Sequence, residues 1–355
     1  MRYRLHPGLM IYPASISGER VLIAELSSSR EPLILRHPRI LWAITVLPQR
    51  FDAAEALELW LSDSVFAEYA QAFWEVLINE GLVIDASDNS IGVRRFDQWS
   101  KFGWLEASLY QEATRDYPFL KMDEPDAFAI EEARMVKYAK VKPPPPIYQT
   151  RDSDYTISLP KRLQSDENIT AHIEGLTTKQ QRGIEGLGFL LDYCFGERST
   201  APFGVQGSFL RKTIPSGGAR HPTEIFLVTF DGAPIDAGVY HYNVENHRLD
   251  CVRPGNHREA FEHATFDLFQ KFSTPPFGLL VFTSLVERAM WRYREARSAR
   301  AIFVDVGHAL MAYRCIAEAL GIDGYTYQKI RDDAVSELLG INPLAQPPLF
   351  VGTLV

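Results

Sequence analysis

Ten consecutive residues, Pro215-Ser216-Gly217-Gly218-Ala219-Arg220-His221-Pro222-Thr223-Glu224, carry the strongest chemical signal in the chain. Two adjacent glycines leave room for a flat or charged ligand to touch backbone. The amides of such a turn can converge on oxygens or ring nitrogens. Ser216 and Arg220 add side-chain donors. The plain alternative is an ordinary Ser-Gly-Gly loop. A second cluster spans Arg288 to Arg300, where Arg288, Arg292, Arg294, Arg297 and Arg300 surround Tyr293. A tyrosine can move a proton at a reacting centre, and a nearby guanidinium can steady negative charge. The same arginines could instead serve a surface helix by pairing with Glu287 and Glu295.

Other chemistries find no residues. His257 and His263 are six positions apart and form neither HExxH nor HxxEH, so no zinc site is expected. There is no GxSxG elbow, no Walker A and no GxGxxG after a strand. His308 reads as a core histidine. The three cysteines, Cys194, Cys251 and Cys315, are widely spaced with no CxxC and read as core residues in a reducing cytoplasm. Nothing resembles a signal peptide or a transmembrane run.

The 355 residues suit two domains, and the net charge of −8 argues against a nucleic-acid protein. Lys142-Pro143-Pro144-Pro145-Pro146 reads as a stiff polyproline spacer. Residues 1–95 are expected to form a small domain, 96–154 a connecting region with the proline linker, and 155–355 the larger domain. In the first, Leu9–Pro13 and Arg20–Glu25 read as strands. Ala53–Leu61 and Glu68–Ile78 read as helices, the last stopped by Gly81 before a short strand. That order suggests a winged helix. Phe51 to Asn89 holds nine acidic residues and no Lys or Arg, so phosphate would repel it. A peptide laid along a strand edge is compatible with that charge; a packing domain is the plain alternative.

In the larger domain, Thr177 and Gln180 form a capping-box pattern ahead of a helix running through Ile184 to Phe195. Thr223–Phe230, Gly238–Asn243, His247–Val252, Gly278–Ser284 and Pro348–Val355 read as strands. Arg300–Leu320 reads as a long helix, apolar nearly all round, hence buried in a core or a subunit interface.

The turn at Pro215–Glu224, a helix ending in Phe195-Gly196, Gly238-Val239-Tyr240-His241-Tyr242, Trp291-Arg292-Tyr293-Arg294 and Asp305-Val306-Gly307-His308-Ala309-Leu310 together resemble the SagB-type dehydrogenases. These are FMN-dependent members of the nitroreductase superfamily. Asp116-Tyr117-Pro118-Phe119 resembles a further family segment, so the resemblance runs from about Leu105 to Val355. It implies an α+β fold, a nitroreductase-like sheet flanked by helices, and a homodimer enclosing two FMN molecules. It implies oxidation of azoline rings to azoles in peptides, and a leader-peptide role for the winged-helix-like domain.

By the same resemblance, Pro215, Ser216, Gly217, Gly218 and Arg220 are expected at the cofactor. The family's Arg-x-Ser-x-Arg phosphate segment is absent from Asn168–Arg182, so Arg211, Lys212, Arg300 and Lys329 become the phosphate candidates. The family's Lys-Tyr pair is Arg292-Tyr293 here. Arginine stays protonated, so Tyr293 is the expected proton carrier and Arg292 the charge-steadying group. The expected function is an FMN-dependent dehydrogenase acting on a peptide or a carrier-bound peptide-like substrate, with partner enzymes possible. Reduction of small electrophiles by NAD(P)H, or a non-catalytic peptide-presenting role, stay open.

Overall fold

The computed structural model describes residues 1–26, 32–37, 39–121, 123–160 and 168–355. These form two compact units, Met1–Phe119 and Leu120–Val355.

In the first unit, β1 (Tyr3–Leu5) pairs with β5 (Val83–Asp85). β2 (Leu9–Ile16), β3 (Glu19–Leu26) and β4 (Leu33–Leu35) form an antiparallel meander in that order. Helices α1 (Ile40–Thr45), α2 (Ala53–Leu61) and α3 (Ala70–Asn79) follow. α2 is fixed at its start by a capping box between Asp52 and Glu55. These helices bury Trp60, Phe73 and Leu77, and the α2–α3 connection adds Phe66. Gly81, at φ +67°, turns the chain from α3 into β5. α4 (Ile91–Trp99) and α5 (Leu105–Thr114) complete the unit.

The second unit opens with α6 (Ala127–Val141) and the proline segment, which therefore lie within it rather than between domains. The physical reason is that this segment is hydrogen-bonded to the larger unit. Trp291 Nε1 donates to Lys142 O at 2.8 Å, and Arg288 Nε donates to Pro146 O at 3.1 Å.

The remaining elements are β6 (Tyr155–Ser158), α7 (Ile169–Gly175), α8 (Thr178–Gln181), α9 (Ile184–Phe195), β7 (Glu197–Pro202) and β8 (Ser208–Lys212). They continue with β9 (Thr223–Thr229), β10 (Gly238–Asn243), β11 (Arg248–Pro254), α10 (Arg258–Ala264), β12 (Gly278–Ser284) and α11 (Val286–Met290). The last are α12 (Ala299–Ala319), β13 (Thr326–Tyr327), α13 (Asp332–Leu339) and β14 (Pro348–Leu354). The Thr177–Gln180 capping box holds α8 alone. Gly183 is extended and α9 starts afresh at Ile184, so the expected single helix is two.

The main sheet runs β13-β14-β12-β9-β10-β11-β6, with antiparallel pairs throughout. Residues Ile225 to Val228 of β9 are buried on both faces, which explains their unbroken apolar run. Ile225 and Leu227 meet α9 and α12; Phe226 and Val228 meet α10 and α13. The result is a helix–sheet–helix sandwich with β9 at its centre.

α12 corrects two expectations. Its face carrying Ile302, Asp305, Val306, Ala309 and Tyr313 is buried. Its other face leaves Phe303, Val304, His308, Met311 and Cys315 exposed. His308 and Cys315 are therefore not core residues of this chain; steps of three and four residues, His308 to Met311 to Cys315, keep to one helix face, here the outward one. No described helix is long and apolar enough to cross a membrane.

Candidate active site

The turn before β9 is closed from α12. Ser216 Oγ donates to Asp305 Oδ2 at 2.5 Å and accepts from the His221 amide at 2.9 Å. The Gly217 amide donates to Asp305 Oδ1 at 3.0 Å. Burial pushes the Asp305 carboxyl above its usual value, and these two donors draw it back in part. The Ala219 amide donates to Ser216 O, and the Arg220 amide to Gly217 O. Four amides and the Ser216 hydroxyl are thus used within the turn and its clamp, where the sequence suggested convergence on a ligand. What the turn presents outward is the bare backbone of Gly217 and Gly218, beside exposed Pro215.

Gly218 sits at φ +59°, a conformation that favours glycine. A Cβ there would overlap the Tyr293 phenol, whose Cζ lies 2.9 Å from the position. A Cβ at Gly217 would lie 3.1 Å from Ala301 Cβ in the first turn of α12. Arg220 bends back to donate from Nε to Gly218 O at 2.8 Å and from Nη1 to Gln206 Oε1 at 3.2 Å. Burial lowers its pKa, and Tyr293 opposes that shift.

Arg292 forms an ion pair with Glu131 of α6, Nη1 to Oε2 at 2.6 Å, and lies 5.1 Å from the Tyr293 ring centre. Arg288 and Arg292 take partners other than Glu287 and Glu295. Glu287 pairs with Lys142, and Glu295 accepts from Ser298 Oγ. The structure so gathers Ser216, Gly217, Gly218, Arg220, Arg292 and Tyr293 in one place, with Arg300 adjoining through Ala301. Arg211 and Lys329 are exposed, and their side chains make no hydrogen bond or ion pair among the described residues. Arg211 lies over the Phe209 ring. Lys329 follows β13, which runs toward the end of the sheet where β9 starts, three strands away.

Sequence reading missed the buried network under the turn. Glu224 Oε1 pairs with Arg288 Nη1 at 2.5 Å, and Oε2 lies 3.0 Å from His241 Nε2. Burial alone would raise the Glu224 carboxyl, but Arg288 and then His241 outweigh it and hold it at about 2. Arg288 Nη1 also donates to His221 O at 2.9 Å. Burial, with Lys212 nearby, keeps His221 neutral by lowering its pKa to about 3. The signal available was a carboxylate heading an apolar strand, Glu224 before Ile225. The Asp305 clamp had a like signal, an acid on the apolar stripe of α12.

Residues Pro145–Thr150 with Glu245, Leu285, Glu287 and Arg288 line a cleft of about 580 Å³, within the usual range for ligand sites. Among the described residues no group of His, Cys, Asp or Glu is placed to hold a metal ion.

A central antiparallel sheet between helix layers, with a Gly-Gly turn clamped to the long helix, defines an α+β scaffold. The chain belongs to the nitroreductase family, whose pattern matches residues 201–353. It is 30% identical over 151 residues to the nitroreductase-like protein MJ1384 of Methanocaldococcus jannaschii, covering 42% of this chain and 75% of that one. It is 37% identical over 160 residues to the trifolitoxin-processing protein TfxB of Rhizobium leguminosarum bv. trifolii, covering 44% of this chain and 43% of TfxB. The match thus spans under half the length of TfxB. A crystal structure of a nitroreductase-like protein from Anabaena variabilis superposes with a TM-score of 0.51 at 22% identity, over 61% of this chain and 41% of that one. That likeness agrees with the fold.

Proposed function

We propose that the chain is an FMN-dependent dehydrogenase that oxidises a peptide or a carrier-bound peptide-like substrate, of the azoline-to-azole kind. The observation carrying this is the packing of the Tyr293 phenol against Gly218. It puts the one neutral proton carrier of the Trp291–Arg294 segment on the side-chain-free face of the turn. The relative named for trifolitoxin processing supports a peptide-maturation role, as does the SagB-type resemblance.

FMN fits the residues present. The exposed backbone of Gly217 and Gly218 offers a surface bare of side chains; a Cβ at Gly218 would overlap Tyr293, and one at Gly217 would press on Ala301 Cβ at 3.1 Å. Pro215, Ser216, Gly217, Gly218 and Arg220 would form this platform; Arg211, Lys212, Arg300 and Lys329 are the cations proposed for the phosphate. The flavin supplies hydride acceptance from a substrate C–H bond. Tyr293 moves a proton at its Oη, and Arg292 orders the charge beside it. The cleft beneath the proline segment takes substrate backbone.

The same proposal includes a homodimer and a cytoplasmic setting. The open apolar face of α12 is the surface suited to a second copy. The first unit serves as a winged-helix-like, leader-binding module, with an edge of the β2–β3–β4 sheet receiving a peptide strand.

The test is direct. Purified protein should gain flavin absorbance on FMN addition, and Tyr293→Phe should keep the flavin while turnover of an azoline-containing peptide falls about 100-fold. A colourless preparation that gains none would refute the flavin reading. Bleaching by NAD(P)H without peptide, and no peptide oxidation, would instead make it a reductase of small electrophiles.

A further inference from the structure

We propose that Glu131 is a positioning residue of the site, holding Arg292 across the Tyr293 ring. This rests on the reading of Tyr293 as proton carrier. Glu131 lies on α6, a segment that sequence alone assigns to a connector. Its carboxylate meets Arg292 at 2.6 Å, and the two side chains are 16% and 17% exposed. The pair is largely enclosed, so solvent and salt screen it less than a surface pair; it is a charge contact, with no hydrogen bond formed at Glu131 Oε2 among the described residues. The other carboxylate oxygen accepts from Arg134 Nη1 at 2.7 Å, which fixes the carboxylate itself.

The grip is two-sided. Arg294 lies with its guanidinium carbon 3.8 Å from the ring centre of Tyr138, close enough for a cation–π contact. Glu131, Arg134 and Tyr138 are spaced i, i+3, i+7, which is one face of a helix. One face of α6 therefore holds the arginines on both sides of Tyr293. An arginine already matched by a carboxylate is directed at the tyrosine ring rather than kept for an acidic substrate. The guanidinium fork can face a carboxylate and a ring together.

The test uses the full chain labelled with 3-fluorotyrosine, with the Tyr293 fluorine resonance assigned by its loss in Tyr293→Phe. Glu131→Ala should displace that resonance, and Glu131→Asp should return it toward the wild-type position. Glu131→Ala combined with Arg292→Ala should match Arg292→Ala alone, because Glu131 acts through Arg292. An unmoved resonance in Glu131→Ala, or a double variant displaced beyond Arg292→Ala, would overturn the proposal. If Glu131→Ala does not fold by circular dichroism, Glu131→Gln is read in its place against the same outcomes. Failure of the proton-carrier reading shows separately, as unchanged turnover in Tyr293→Phe while the Glu131 and Arg292 variants still displace the Tyr293 resonance as stated.

Discussion

Gly218 and Tyr293 define each other's place. The glycine is left-handed, and the volume its side chain would fill is taken by the phenol. Gly218→Val should cost about 1–2 kcal/mol from the backbone conformation alone, lower the melting temperature, and release FMN. A variant that keeps flavin with wild-type affinity would remove the platform assignment. Sequence showed both residues, because the double glycine and the tyrosine among arginines are local patterns. It did not show that they touch. Nor did it show that Asp305 clamps Ser216 and Gly217, since contacts between distant segments leave no spacing to read.

At the scale of elements, the turn, β9 and α11 are joined by a buried polar network. His221 carries the clearest pH consequence. Its folded pKa, about 3, is below the ordinary 6.5, so the unfolded chain takes up the proton first as pH falls. The stability it contributes is complete above pH 6.5 and is lost as pH drops toward 3. Glu224, held at about 2 against an ordinary 4.5, adds loss from pH 4.5 downward. His221→Asn suits the residue's φ of +43°, which asparagine tolerates. Melting temperature against pH should be flatter for this variant between 6.5 and 3; an unchanged slope would contradict the assignment. The helices α2 and α12 and the strand β12 were readable from apolar periodicity to within a residue at each end. The proline segment was readable as polyproline but not as a strap, because its partners, Arg288 and Trp291, lie far along the chain. Arg288 looked like one of a surface arginine row; its burial follows from Glu224, which periodicity cannot pair with it.

For the whole molecule, α12 has one face in the core and one bare, with Phe303, Val304 and Met311 each more than half exposed. An apolar helix face of this kind seeks a partner. Met311→Glu should convert the proposed dimer to a monomer in sedimentation velocity and weaken FMN retention. A wild-type protein that sediments as a monomer with flavin bound would contradict the dimer. The helix's all-round apolar character was visible in sequence, but which side meets solvent depends on the packing of β9 and α9.

The proposed activity is flavin-dependent oxidation of a peptide with Tyr293 as the proton carrier. Its most direct measurement is the visible spectrum of the FMN-loaded protein, mixed anaerobically with an azoline-containing peptide. The peptide should bleach the flavin in the wild type, and do so about 100-fold more slowly in Tyr293→Phe at equal flavin content. Flavin that stays oxidised with peptide, or equal rates in the two proteins, would contradict it.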